Sequence, residues 1–216
     1  MVSVSRKPVR IGRVVLGLSC AIAVAAVAAQ TAERPAWKVG DRWQFQQEVR
    51  PPPVHSEWTR KVAEALPNGH FKVRTDANAV LEFDDEGNSL DKRGADYSWR
   101  RFDFPLSVGK SWKHERKIAG DMWNGIEAST WTVRAHEKLT VPAGTFECFR
   151  VEGETHSTWA SAKTLTQNWN RGHTLTTYWY CPEVKWPAKW IMENQAYLSA
   201  TRTFTTSELV KFEPGL

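Results

Sequence analysis

Histidines, cysteines and clustered carboxylates are the residue types that chemistry would draw on here, so their spacing comes first. The histidines are His55, His70, His114, His136, His156 and His173. None forms His-x-His or His-Glu-x-x-His, and His136-Glu137 lacks a second histidine four residues on. Their spacing supplies no metal site. The acidic run Asp84-Asp-Glu-Gly-Asn88 fails as a calcium loop. Aligned on its glycine it would need ligands at Glu82, Asp84 and Glu86 and a closing acid at position 93, where Arg93 stands. Asp84-Asp85 lies on an expected turn, with nothing there to raise a carboxyl pKa for acid–base work. There is no Gly-x-Ser-x-Gly elbow and no Gly-rich phosphate loop. Cys148 and Cys181 sit in apolar β contexts, which argues against a catalytic thiolate. The expectation is a chain that is not an enzyme and carries no cofactor or metal.

Aromatic side chains are the unusual feature. All 12 tryptophans lie beyond residue 29. Many such rings fill a β interior, where each indole N–H needs an acceptor. Others line concave pockets, since ligand sites are mostly apolar with few polar groups. Tyr178-Trp179-Tyr180 is the sharpest case. Consecutive strand residues point to opposite faces, so neither face of that strand is plain solvent. The candidate ligand-binding residues are Trp112, Trp131, Tyr178, Trp179, Tyr180, Trp186, Lys189 and Trp190, with Lys189 offering a cation to an acidic headgroup.

Charge and the N-terminal segment narrow the classes further. Arg6, Lys7, Arg10 and Arg13 precede an apolar run from Val14 to Val27, with small residues around Ala26-Val-Ala28-Ala29. This reads as a secretory signal over residues 1–29, too short for a membrane span of about 20 apolar residues. A lipoprotein cysteine at Cys20 fits Gly17-Leu-Ser-Cys20 poorly, and an uncleaved anchor is the other alternative. The whole chain has 29 basic and 24 acidic residues. Removing the four basic residues of the segment lowers the net charge from +5 to +1. The basic pI therefore gives no support to nucleic-acid binding. Residues 30–36 read as a flexible leader and 37–216 as a single domain. Export leaves two cysteines, and an even count in an oxidising compartment suggests a Cys148–Cys181 disulfide, with two buried thiols as the alternative.

The elements that must position these groups read as strands. Leu139 to Val151 is strand, turn, strand, with Pro142 fixing the turn and Gly144 closing it. Trp43 and Phe45 alternate with polar residues, and Pro51-Pro-Pro53 makes a loop. Val54 to Leu66 fits either a helix face or a strand. Phe71–Thr75, Ala79–Phe83, Asp96–Phe104, Ala128–Thr140, Thr145–Trp159, Thr164–Trp169, Thr174–Tyr180, Tyr197–Phe204 and Glu208–Phe212 read as strands. Gly120 to Gly125 and Asn170-Arg-Gly-His173 read as turns. Ten to twelve strands at hairpin spacing predict an all-β antiparallel sheet curled into a barrel or half-barrel.

Four segments carry a family resemblance: Val39-Gly-Asp-x-Trp43, Phe104-Pro-Leu-x-Val-Gly-Lys-x-Trp112, Val141-Pro-Ala-Gly-Thr-Phe146 and Tyr178-Trp-Tyr-x-Pro182. Over roughly Trp37 to Phe212 the chain resembles bacterial envelope domains of unknown function, a group that includes TapB-like proteins. The resemblance implies an all-β fold distantly akin to the half-barrels of LolA and LolB, and it transfers no catalytic residue. The expected function is a non-catalytic periplasmic or secreted β-barrel module that binds an apolar or amphipathic, lipid-like ligand. The alternative is an envelope scaffold that docks a protein partner through an aromatic face. Carbohydrate stacking is a third reading that the spacing does not favour. Expected partners are therefore a lipid-like small molecule or an envelope protein, with no nucleic acid and membrane contact only through the transient signal segment.

Overall fold

A computed structural model describes residues 30–161, 170–196 and 201–216. The signal segment and the strand expected over Thr164–Trp169 lie outside the described residues, as does the start of the strand expected over Tyr197–Phe204. The strands in chain order are β1 (Thr31–Ala32), β2 (Arg42–Arg50), β3 (Val54–Ala65), β4 (Phe71–Thr75), β5 (Val80–Phe83), β6 (Ser89–Leu90) and β7 (Leu106–Ser107). They continue with β8 (Ser111–Gly120), β9 (Trp123–Val141), β10 (Gly144–Ser161), β11 (Asn170–Cys181), β12 (Trp186–Ala196) and β13 (Arg202–Glu213). Eleven form one antiparallel sheet in the order β6-β5-β4-β3-β2-β13-β12-β11-β10-β9-β8. The fold class is all-β, as expected, and Val54 to Ala65 resolves as strand rather than helix.

The sheet curls over its own inner face. β5 and β12 are separated in the sheet by four strands, which in a flat sheet would hold them more than about 20 Å apart. Yet the rings of Phe83 and Trp186, one on each, have centroids 5.5 Å apart. Strands β6 and β8 are not paired with each other, so the arrangement is an open half-barrel. Its interior holds two apolar clusters. One gathers Trp37, Trp43, Phe45, Phe83 and Trp186, the other Phe102, Trp131, Phe149, Tyr178 and Tyr180, and Trp190 packs against both.

Local devices shape the curl. Trp131 pairs with Gly153 across β9 and β10. A Cβ on Gly153 would lie 2.1 Å from Trp131 Cζ3, so the indole lies flat on that strand because there is no side chain beneath it. Val141 and Gly144 face each other around Pro142-Ala143, the expected tight turn. Cys148 and Cys181 stand opposite one another at the end of the β10–β11 ladder, with Cα atoms 4.2 Å apart, joined as a disulfide inside the first cluster. Asp41 is fully buried. Its carboxylate accepts from Lys185 Nζ at 2.9 Å, from Lys38 N at 2.8 Å and from Gly215 N at 2.7 Å, tying both ends of the domain together.

Four expectations differ from the structure. Residues 30–36 are docked rather than flexible. Thr31–Ala32 pairs with Leu106–Ser107, Ala32 is buried, and Arg34 forms an ion pair with Asp85. The Asn170–His173 turn is strand: Gly172 pairs with Ser157, and its missing Cβ leaves room for the Trp159 ring. Gly125 is likewise strand, and the hairpin turn narrows to Asp121-Met122 between Gly120 and Trp123. Asp96–Phe104 is not a ladder strand but a 3-10 turn (Ala95–Tyr97) followed by an irregular strap.

Candidate functional site

Strand alternation builds one wall of the site. In β11, Thr176, Tyr178 and Tyr180 are buried on the inner face, while Thr177 and Trp179 fall on the other. Register then sets inner-face neighbours: Arg60 opposite Trp43, Trp58 opposite Phe45, and Tyr178 opposite Trp190.

The strap, residues 91–105, supplies the facing wall and spans the gap between the two open edges. Asn88 pins it. This buried side chain accepts at Oδ1 from the backbone N–H of Arg101 (2.8 Å) and Phe102 (2.9 Å). It donates from Nδ2 to the Phe102 carbonyl (3.1 Å) and to Asp84 Oδ2 (3.2 Å). A side-chain amide thus replaces the strand partner the sequence suggests, satisfying backbone groups that burial would otherwise penalise. Toward β8, Arg93 Nη1 donates to the Ala119 carbonyl at 2.8 Å and Arg116 Nη1 to the Tyr97 carbonyl at 3.3 Å, while His114 Nε2 lies 2.9 Å from the Ser98 carbonyl.

Between strap and sheet lies a cleft of about 230 Å³. Trp99 and Phe102 line it from the strap, and Tyr178, Trp186, Trp190 and Met192 from the sheet. Gly87 and Pro187 complete the lining, which contains no acidic residue but two arginines, Arg60 and Arg101. A second hollow, of about 390 Å³, shares Arg60 and Trp190, adds Trp58, and is otherwise largely polar, with Gln47, Thr59, Thr75 and the carboxylate of Asp76 on its wall. Larger hollows lie elsewhere: one of about 550 Å³ is walled by polar and charged side chains such as Gln46, Glu48, His55 and Glu57, and one of about 710 Å³ mixes Val80, Leu81 and Leu90 with Glu82, Asp91, Lys92 and Arg93. No tryptophan, tyrosine or phenylalanine lines either.

Arg60 is the unusual group. Its guanidinium carbon lies 5.1, 5.6 and 5.2 Å from the ring centroids of Trp58, Phe83 and Trp186. Among the described residues no carboxylate, carbonyl or hydroxyl accepts from it. Burial, and secondarily the like charge of Arg101, push its pKa down to about 10, so it remains charged at neutral pH. Three cation–π contacts at about 0.5–2 kcal/mol each are of the same order as the several kcal/mol that withdrawing a charge from water costs. They leave the N–H donors of the guanidinium without an acceptor among the described residues.

Arg101 also rests on rings. It lies 5.5 Å from Trp99 and 6.0 Å from Tyr178, again without an acceptor for its guanidinium among the described residues. Arg116 shows the ordinary arrangement: it stacks on Trp99 at 3.7 Å and is neutralised by Glu127 at 2.5 Å. The indole N–H of Trp58 is also buried with no acceptor among the described residues.

Of the residues singled out in the sequence, Tyr178, Trp186 and Trp190 come together in this cleft. Trp112, Trp131 and Tyr180 are core residues of the second cluster, and burial pushes the Tyr180 hydroxyl pKa up, keeping it neutral. Trp179 and Lys189 lie on the other face. Trp179 Nε1 donates to Glu137 Oε1 at 2.8 Å, and Lys189 is bound to Glu208 at 2.8 Å with its ammonium 5.8 Å from the Trp179 ring. The cation expected at Lys189 is therefore supplied instead by Arg60 and Arg101. The sequence carried one signal for Arg60, its alternation with Trp58 and Val62 on an inward-facing row.

Strand pairing also gathers residues that spacing left scattered. His156 and His173 pair across β10 and β11 with rings stacked 4.7 Å apart. Glu154 Oε1 lies 2.9 Å from His173 Nε2 and 3.3 Å from His156 Nε2. The bond with His173 holds the Glu154 carboxyl below its usual range. The ligand atoms of the three lie within 4.8 Å of one another, on a largely exposed patch of the sheet.

Three solved structures are similar to this chain. No family model and no curated protein sequence matches it. A protein from Parabacteroides distasonis ATCC 8503, described as a candidate lipoprotein, is 13% identical, with a TM-score of 0.40 over 85% of this chain and 100% of that one. A candidate exported protein with YmcC-like fold from Bacteroides fragilis NCTC 9343 is 12% identical, with a TM-score of 0.39 over 84% and 99%. The hypothetical lipoprotein YmcC from Escherichia coli K12 is 12% identical, with a TM-score of 0.41 over 82% and 86%.

Proposed function

We propose that this chain is a non-catalytic module of the cell envelope that holds an amphipathic, lipid-like ligand in the cleft between the strap and the sheet. One observation carries the reading: Trp99, Phe102, Tyr178, Trp186 and Trp190, several of them also core residues, border a single hollow. Among the described residues its lining offers no histidine, cysteine, serine or carboxylate, and Tyr178 is the one hydroxyl-bearing side chain. At about 230 Å³ the cleft is smaller than a typical pocket of 300–1,000 Å³. It suits one end of a ligand, with the ligand's polar end reaching toward the adjoining hollow past Arg60 and Trp190, whose wall is largely polar. The address rests on the signal read in residues 1–29. Among the described residues no helix is long and apolar enough to cross a membrane.

Docking through an aromatic face is less favoured. The large aromatics turn inward, and Trp123, at a hairpin tip, is the one aromatic among the exposed large hydrophobic side chains of the described residues. Native mass spectrometry of protein purified from its own envelope, paired with tryptophan fluorescence titrations using twelve-carbon amphiphiles, tests the reading. A co-purified amphiphile, or saturable quenching with at least one of them, supports it. Ligand-free protein together with no response to any amphiphile overturns it.

A further inference from the structure

Resting on that reading, we infer that the ligand carries an anionic group, a phosphate, sulfate or carboxylate, which seats between Arg60 and Arg101 while its apolar part lies on the rings. The two guanidiniums line one cleft, Arg60 feels the like charge of Arg101, and no acidic residue lines that cleft, the carboxylate of Asp76 lining the adjoining hollow instead. Neither has an acceptor among the described residues. A pair of like charges held on aromatic walls is the reverse of what stability favours. It is what recognition of an anion requires, because guanidinium offers a planar fork of donors matched to carboxylate and phosphate oxygens.

The surrounding structure fixes this pair rather than leaving it mobile. Asn88 holds the Arg101 backbone, Trp99 and Tyr178 flank its guanidinium, and three rings enclose that of Arg60. The buried Trp58 N–H, on the far side of Arg60, is a further donor without an acceptor among the described residues. The cleft thus presents two guanidiniums over an apolar trough, with the Trp58 N–H in the hollow beside it, where Asp76 is the one carboxylate on the wall. Arg116, neutralised by Glu127, is not part of this demand.

The test compares dodecyl phosphate, dodecyl maltoside, dodecyltrimethylammonium and inorganic phosphate, each below its micelle concentration, by tryptophan fluorescence and calorimetry. It uses the wild-type chain, Arg60→Met and Arg101→Met. Dodecyl phosphate should bind about 10-fold or more tighter than the maltoside, and each substitution should erase most of that preference while leaving maltoside binding in place. Measurable binding of inorganic phosphate alone would identify a free anion rather than a lipid headgroup as the occupant, still at the same pair. Equal affinity for the phosphate and maltoside probes, or an undiminished phosphate preference in Arg101→Met, would overturn the inference while leaving the amphipathic reading intact. No response to any amphiphile would remove the reading itself. If Arg60→Met does not fold, Arg101→Met, on the partly exposed strap, carries the decision.

Discussion

At the scale of single residues, Arg60 sets stability against binding. Its charge is enclosed by rings and repelled by Arg101, so an apolar chain of similar length should suit the unliganded protein better. Arg60→Met is expected to raise the melting temperature by a few degrees, corresponding to about 1 kcal/mol. Thermal melts in phosphate-free buffer measure this, and a clear drop instead would mean that the cation–π contacts outweigh the desolvation cost. The sequence allowed part of this site to be read. Tyr178, Trp186 and Trp190 stand out as aromatic neighbours in an aromatic stretch. Arg60 and Arg101 do not, because charged residues alternating along a strand read as a solvated face. Only the curl that brings Phe83 onto Trp186 reveals that their face is enclosed.

At the scale of elements, the strap is the piece least legible from sequence. Its run of aromatics and charges resembles a strand. What decides otherwise is one amide 13 or 14 residues away, Asn88, which takes the backbone groups of Arg101 and Phe102. Asn88→Ala should therefore cost about 2 kcal/mol, leaving buried N–H groups unmade, and should weaken ligand binding by displacing Arg101. Chemical denaturation and the same fluorescence titration check both effects. Acid should act on the strap too. The side chain of Arg93, hydrogen-bonded to Asp91, lowers the Asp91 pKa to about 2. A carboxylate depressed in the folded state contributes stability above its unfolded pKa near 3.8 and loses it as pH falls toward 2. Hydrogen exchange of residues 91–105 should accelerate across that interval, ahead of the sheet. Uniform exchange across strap and sheet would contradict it.

At the scale of the molecule, the hairpin ladder was legible because period-two alternation and Gly or Pro turns are local signals. Gly172 misled for a physical reason: glycine serves close ring packing as well as turns, and sequence does not distinguish the two uses. The Cys148–Cys181 bond ties adjacent strands across a separation of 33 residues. Its reduction should lower stability by about 3–4 kcal/mol by the chain-entropy model, or roughly 10 °C in melting temperature, read from melts with and without reductant. The strap has one more consequence. An open sheet of eleven strands has two exposed backbone rims, and rims of that kind recruit other chains. Arg93, His114 and Arg116 tie the strap along the β8 rim, so the wall that shapes the cleft also guards the protein's solubility. A variant whose strap works loose should first betray itself as self-association, before any loss of secondary structure.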